Sequence, residues 1–367
     1  MNYKESGVDT DKEEIIMKAF INQIEKTHIN SDKILQPNRY FANVINLTDE
    51  IGLAVSTDGV GTKVLISQMM EKYDTIGIDC VAMVVNDIIC VGAKPITFLD
   101  YIAIEEPNEH LMMELGKGLV EGANQARVSI SGGETAQVPE LIRRTKYSKT
   151  GYGFDIVGMG IGMVHPYETI DGSFICEGDV IIGIESSGLH SNGYTLARNI
   201  LFDIGGYSVG DYIDELGKTI GEELLEPTII YSNINFPFQS IKAMINITGD
   251  SLLNLLRVNK NDIQFVIDNL PEPYPVFKMI QEMGRVPDED MYRTFNMGIG
   301  FCIVVSPSYV DDIQSRVSSK GLKSYRIGHV INSKGKSVII PSKGLKGCDR
   351  KFYKERKFSD VKINNGN

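Results

Sequence analysis

The chain has 367 residues, room for two domains at roughly 150 residues each, and its 42% hydrophobic and 23% charged residues are a globular composition. Forty-eight acidic against 37 basic residues leave a net charge of −11, which repels phosphate backbones and argues against nucleic-acid binding, while a local basic pocket for a small phosphorylated ligand stays open. No stretch approaches the ~20 apolar residues that cross a bilayer, residues 1–11 lack the apolar core of a secretory signal, and five scattered cysteines without a Cys-x-x-Cys pair read as free thiols of a reducing, cytoplasmic setting.

Ile15, Ile16, Ala19, Phe20 and Ile24 predict a helix over 12–27, followed by a polar loop over 28–42. A strand over 51–56 runs into Asp58-Gly59-Val60-Gly61-Thr62-Lys63. Helical spacing resumes over 75–91. A strand over 96–104, a helix over 108–126 and a short strand over 128–131 follow, the last ending in Gly132-Gly133-Glu134-Thr135. Residues 154–164 alternate apolar residues with glycine, which suits a strand in a closely packed sheet. A second unit begins near His165-Pro166, with a strand over 181–184, the loop from Ser186 to Gly193 and a helix through 200. Helices over 225–232 and 251–256 and strands over 298–305 and 324–330 complete it. The expected division is an amino-terminal domain 1–165, a carboxy-terminal domain 166–341 and a solvated basic tail 342–367, with seven basic residues against two acidic ones between 343 and 357. Strands and helices mix without strict βαβ regularity, so the fold class is α+β rather than a doubly wound sheet.

Four constellations carry chemistry. In Asp58-Gly59-Val60-Gly61-Thr62-Lys63 two glycines let the backbone approach a phosphate, Lys63 supplies a positive charge and Asp58 is a hard oxygen ligand suited to Mg²⁺. The spacing is neither a Walker A nor a dinucleotide fingerprint, and a Gly-x-Gly turn alone is also an ordinary structural turn. Asp87 lies inside the apolar segment 81–91 and needs a metal ion or a cationic neighbour, unless it caps a helix. Asp100 closes a strand in the same way. Glu134 follows two glycines at a strand end, and reads either as a site carboxylate or as a surface turn residue. His190 stands among small residues and donors in Ser-Gly-Leu-His-Ser-Asn-Gly, which suits an oxyanion or phosphate loop or a satisfied structural histidine. The other histidines have no metal-ligand spacing, so zinc is not expected. Three carboxylates, a glycine-lined lysine and one histidine fit Mg²⁺-assisted phosphoryl chemistry better than acyl transfer.

Taken in order, the strings Tyr3-Lys4-Glu5-Ser6-Gly7-Val8-Asp9, 57–63, 74–79, Val84-Val85-Asn86-Asp87, Phe98-Leu99-Asp100-Tyr101, 132–136, 186–194, Glu226-Pro227-Thr228-Ile229-Ile230-Tyr231 and Met291-Tyr292-Arg293-Thr294-Phe295-Asn296-Met297-Gly298 resemble the aminoimidazole ribonucleotide synthetase, or phosphoribosylformylglycinamidine cyclo-ligase, family. The resemblance spans about 3–335. It implies two α+β domains, an amino-terminal domain that forms a homodimer and holds the nucleotide, and ATP-dependent ring closure of formylglycinamidine ribonucleotide in purine biosynthesis. It further implies Asp58 and Asp87 as Mg²⁺ ligands, and Gly59, Gly61, Thr62, Lys63 and Asp100 beside the nucleotide. Lys26, Glu134 and His190 are implied as catalytic groups near the nucleotide, the reacting group or the substrate phosphate.

The chain departs from the family pattern in places. Residues 38–44 contain no glycine where the family has a glycine-rich stretch, and Asn246-Ile247-Thr248-Gly249-Asp250-Ser251 replaces the usual His-x-x-Gly-Gly-Gly. Asp250 adds negative charge there, or a metal ligand. Residues 142–152 read as a basic insertion. The competing readings are another ATP-using member of the superfamily and a non-catalytic nucleotide-binding paralogue.

Overall fold

The computed structural model describes residues 10–30, 33–34 and 40–354. The motif 3–9 and part of the glycine-free stretch, Asn38 and Arg39, lie outside the described residues.

In the first half, helix α1 (Thr10–Ile24) runs into a 3-10 turn, Glu25–Asn30, and strands β1 (Asn43–Asn46) and β2 (Gly52–Gly59) form an antiparallel pair. A 3-10 turn, Gly61–Lys63, leads into α2 (Val64–Met70), followed by α3 (Ile76–Cys90), β3 (Lys94–Ile104), α4 (Glu109–Ala126), β4 (Ser129–Gln137) and β5 (Phe154–Val164). The sheet order is β1-β2-β5-β3-β4. Strands β3 and β4 run parallel, joined by α4, and the other neighbours are antiparallel. Strand β4 continues beyond the expected end at 131, because residues 99–104 of β3 offer a ladder to residues 132–137; the Gly-Gly-Glu-Thr string is strand, not turn.

Period-two burial along β5 sends Phe154 and Ile156 toward α3, while Met159 and Met163 point the other way. That outer face stays open: Tyr101 is 43%, Met159 41% and Met163 46% exposed. Helix α3 is apolar on nearly every side and correspondingly buried, since the sheet covers one flank and the second half of the chain covers another.

The second half builds an eight-stranded sheet from β6 (Val180–Glu185) onward. Helix α5 (Tyr194–Arg198) extends into a π-helical turn, Asn199–Ile204, followed by the small pair β7 (Tyr212–Ile213) and β8 (Lys218–Thr219), α6 (Ile220–Leu225), β9 (Ile241–Asn246) and a 3-10 helix, Ser251–Arg257. Then come β10 (Ile263–Ile267), α7 (Pro275–Gly284), α8 (Asp288–Thr294), β11 (Ile299–Val305), α9 (Val310–Ser318), β12 (Ser324–Asn332), β13 (Ser337–Ile340), β14 (Leu345–Cys348) and β15 (Lys351–Lys354). The order is β15-β14-β13-β10-β12-β6-β11-β9. Every residue of β11 is buried, which explains its unbroken apolar run between neighbours on both edges.

Two local expectations are corrected. The helix expected over 225–232 stands earlier: Thr219 and Glu222 form a reciprocal capping box that starts α6, and Pro227 forces Glu226 into an extended conformation that ends it. Residues 342–354 are not a solvated tail. Strands β14 and β15 close the sheet edge and bury Leu345 and Phe352.

Candidate active site

Helix α3 carries the seam between the two halves. Asp79, Asn86 and Asp87 stand seven and eight residues apart, two helical turns, and so share one face of the helix. Asp79 is fully buried and accepts from Thr228 N at 2.8 Å and Thr228 Oγ1 at 2.6 Å. Asn86 donates to Ile229 O at 2.8 Å and accepts from Tyr231 N at 2.9 Å. Asp87 Oδ1 accepts from Asn246 Nδ2 of β9 at 2.9 Å, and Ser56 Oγ of β2 stands 3.5 Å from its other oxygen. The Glu226-to-Tyr231 string is thus backbone pinned along α3.

The sheet brings Asp58 to the same place and sets Asp100 in line with it. Asp58 of β2 and Asp100 of β3 both pair with Gly158 of β5, so they lie in one row across the sheet. Both act electrostatically on Cys80 of α3, which puts them on the helix-covered face. Gly133 is required beneath Asp100, because a Cβ there would lie 2.7 Å from the Asp100 carboxyl oxygens. Burial raises the pKa of Asp58 and of Asp100, and pushes that of Asp87 up to about 7 despite the Asn246 hydrogen bond. The positive charge of Arg257, at the end of the 3-10 helix after β9, opposes this rise at both Asp58 and Asp87. Its guanidinium lies 4.9 Å from the centre of the Phe41 ring.

The structure brings Asp58 and Asp87 within electrostatic reach of each other and of Arg257, sets Asp100 in the same sheet row as Asp58, and keeps Gly59 against Asp58; Lys63, Glu134, His190 and Lys26 make other contacts. Lys63 is fully buried; its ammonium donates to Asp79 Oδ1 at 2.9 Å and Glu226 O at 2.6 Å, and pairs with Asp79 Oδ2 at 2.8 Å. The bond to the Glu226 carbonyl crosses to the second half of the chain, while the pairing with Asp79 stays within the first. Gly59 donates its N–H to Asp58 Oδ1 at 2.8 Å, and Gly61 opens the turn with φ +71°. Thr62 Oγ1 lies 3.3 Å from Thr195 Oγ1, and the Thr62 carbonyl accepts from Arg198 at 3.2 Å. The glycine turn thus faces α5 of the second domain.

Glu134 is exposed on β4, opposite Tyr101, and accepts from Thr135 N at 2.9 Å. Strand alternation puts it on the outer face, away from Asp100. His190 is 3% exposed and adopts φ +61°. Its Nε2 accepts from Ser187 N at 3.1 Å, and burial beside the Lys63 charge lowers its pKa to about 3, so the imidazole is neutral. Gly300 makes room for the ring: a Cβ there would lie 2.4 Å from His190 Cε1. Lys26 is exposed on the turn after α1 and donates to Gln23 Oε1 at 2.7 Å.

Three residues of the site were not singled out from the sequence. Asn246 is 3% exposed and is the second domain's hydrogen bond to Asp87. Arg257 and Arg198 bring positive charge from the second domain to the carboxylates and to the glycine turn. The available signal was helical spacing: Asn254 and Arg257 stand one turn apart directly after the altered 246–251 loop, on a helix otherwise apolar enough to be core.

The two halves of the chain match a known class of protein. Family profiles for the AIR synthase related protein match the chain twice, its N-terminal domain over residues 41–164 and its C-terminal domain over residues 177–341. The chain belongs to the AIR synthase related family. At the level of particular proteins, it is 42% identical over 339 residues to the phosphoribosylformylglycinamidine cyclo-ligase of Methanocaldococcus jannaschii, covering 91% of this chain and 93% of that protein. It is 43% identical to the protein of the same name from Methanothermobacter thermautotrophicus, covering 90% and 94%. Among solved structures, thiamine-monophosphate kinase from Stenotrophomonas maltophilia superposes with a TM-score of 0.58 at 18% identity, covering 87% of this chain and 95% of that one, a likeness of fold.

Proposed function

We infer that this chain is an ATP-dependent cyclo-ligase that closes formylglycinamidine ribonucleotide to aminoimidazole ribonucleotide in purine biosynthesis, releasing ADP and phosphate. The observation that carries the reading is the meeting of Asp58, Asp87 and Arg257 at the junction of the two family domains. The chemistry has a clear physical demand. An amide oxygen is a poor leaving group, so the formyl oxygen attacks the γ-phosphorus and ADP departs. The amidine nitrogen then adds to the activated carbon, the carbon–oxygen bond breaks, phosphate leaves with that bond's electrons, and the nitrogen loses a proton. The protein's task is to align two anions and to offset charge on the transferring group.

The donor set fits Mg²⁺. Burial raises the pKa values of two carboxylates that Arg257 compensates only in part, and a hard dication at oxygen ligands would supply the rest. Among the described residues no three His, Cys, Asp or Glu side chains form a metal-binding group, so Asp58 and Asp87 would hold the ion only together with phosphate oxygens and water. Bound there, Mg²⁺ would neutralise phosphate charge. Asn246 orients Asp87, Arg257 offers a guanidinium at the same carboxylates, and Arg198 holds the glycine turn. His190 fixes its own loop by accepting from Ser187 N, and burial favours its neutral imidazole. Pairing of two copies through the outer face of the first sheet is supported by the exposure of Tyr101, Met159 and Met163 and of nearly the whole of β4. None of the described helices is long and apolar enough to cross a membrane.

The test is ADP release by the purified protein with ATP and Mg²⁺, with and without formylglycinamidine ribonucleotide. Release that requires the ribonucleotide supports the reading. Nucleotide binding without such turnover overturns it.

A further inference from the structure

The loop over 246–251 departs from the family pattern, and its surroundings show what compensates. The loop begins at Asn246, whose Nδ2 holds Asp87, and ends where the 3-10 helix that carries Arg257 begins. In its middle, Gly249 passes over the His190 loop: a Cβ at Gly249 would lie 3.3 Å from Asn192 Oδ1. Asn192 Nδ2 is buried there without a hydrogen-bond partner among the described residues. The loop therefore runs from the residue that holds Asp87 to a buried donor, the Asn192 amide, suited to an anionic oxygen.

Asp250 would put a negative charge on this loop, with its side chain only 12% exposed. Its carboxylate is instead clamped from outside the family-matched region, which ends at 341. Arg350, between β14 and β15, donates through Nε to Asp250 Oδ2 at 2.9 Å and through Nη2 to Oδ1 at 3.0 Å. Two parallel bonds in this fork geometry fix orientation as well as charge. From within, Ser251 Oγ donates to Phe295 O, and Asn254 Nδ2 donates to Asn246 O at 3.2 Å and Thr248 Oγ1 at 3.1 Å.

We propose that Arg350 is a positioning residue for the substrate: it cancels the Asp250 charge and holds the 246–251 loop so that the phosphorylated ribonucleotide can enter beside Asn192. The inference rests on the cyclo-ligase reading. It makes the β14–β15 hairpin part of the substrate site and pairs two sequence features, the acidic loop and the basic carboxy-terminal segment, as one device. Asn246, at the loop's start, is anchored independently by its pairing with Phe301 and by Asn254, so loss of the Arg350 clamp moves the ribonucleotide KM and not the ATP KM.

The experiment is steady-state kinetics of the full chain with ATP and the ribonucleotide varied separately. Arg350→Met leaves Asp250 uncompensated and is expected to raise the ribonucleotide KM about tenfold, the effect of one unscreened charge near a phosphate, with the ATP KM and kcat within about twofold. Arg350→Lys keeps the charge without the fork and is expected to recover part of the loss. Asp250→Gly combined with Arg350→Met removes the charge and is expected to return the ribonucleotide KM to within about threefold of the parent. An unchanged KM in Arg350→Met overturns the proposal. So does a defect that touches both substrates equally, or one that persists in the double variant, since either marks a general structural role. Absence of turnover in the parent chain would instead count against the cyclo-ligase reading itself.

Discussion

Lys63 is the residue whose environment most changes its meaning, and replacing it by methionine separates two roles. In the phosphate-binding role, Lys63→Met leaves the fold intact and removes about a hundredfold of nucleotide affinity. In the buried seam the outcome reverses. Lys63 and Asp79 are both fully shielded, and removing one member of such a pair leaves an uncompensated buried charge that costs about 3–5 kcal/mol. Two hydrogen bonds from Thr228 still reach Asp79, which sets the expectation for Lys63→Met near the lower end, about 3 kcal/mol. Asp79→Leu strands the ammonium and the Thr228 N–H together, at about 4 kcal/mol. If the pair is the cause, the double replacement costs less than the sum of the single ones, by about 2–3 kcal/mol, because neither charge is then left alone. Equilibrium urea unfolding of the four proteins reads this coupling, and calorimetric titration with ATP and Mg²⁺ on folded material reads affinity. Parent-like stability of Lys63→Met together with lost nucleotide binding, or strict additivity in the cycle, would refute the reasoning.

Burial holds the folded-state pKa of His190 near 3, against about 6.5 in an unfolded chain, so the unfolded state binds more protons in between. The contribution of His190 to stability is therefore complete above pH 6.5 and is lost as pH falls toward 3; at pH 5 the loss is about 2 kcal/mol. The stability gap between the parent and His190→Asn, measured by urea unfolding at pH 7.5 and 5, should shift by that amount in favour of the variant at low pH, and a gap independent of pH would count against the neutral buried imidazole. Asp58→Asn should lower kcat by orders of magnitude with an unchanged melting temperature, and parent-like turnover would remove Asp58 from the mechanism. Arg257→Met should reduce kcat about a hundredfold while leaving circular dichroism unchanged, as expected for a charge that acts on the transferring group; an effect on stability alone would assign it to packing against Phe41.

Much of this protein follows from local strings. Alternation along residues 154–164 and helical spacing over 75–91 and 108–126 yield β5, α3 and α4 nearly to the residue, because each pattern reports which side faces a core. Asp58, Asp87 and Asp100 stood out for a similar reason, as carboxylates where strand or helix patterning demands burial. What a string cannot carry is the partner of a side chain. Lys63 looks like a phosphate ligand beside its glycines, yet its acceptors, Asp79 and the Glu226 carbonyl, come from 16 and 163 residues away. Glu134 follows two glycines that look like a turn, and only pairing with β3 turns it to the outer face. Asn246 and Arg257 gain their roles only when β9 docks on α3, and Arg350 only when two late strands close the sheet edge beside Asp250. Composition and periodicity decide which surfaces must be buried; the docking of the two halves decides which charges meet there, because a charge in a shielded seam is defined by its neighbours in space.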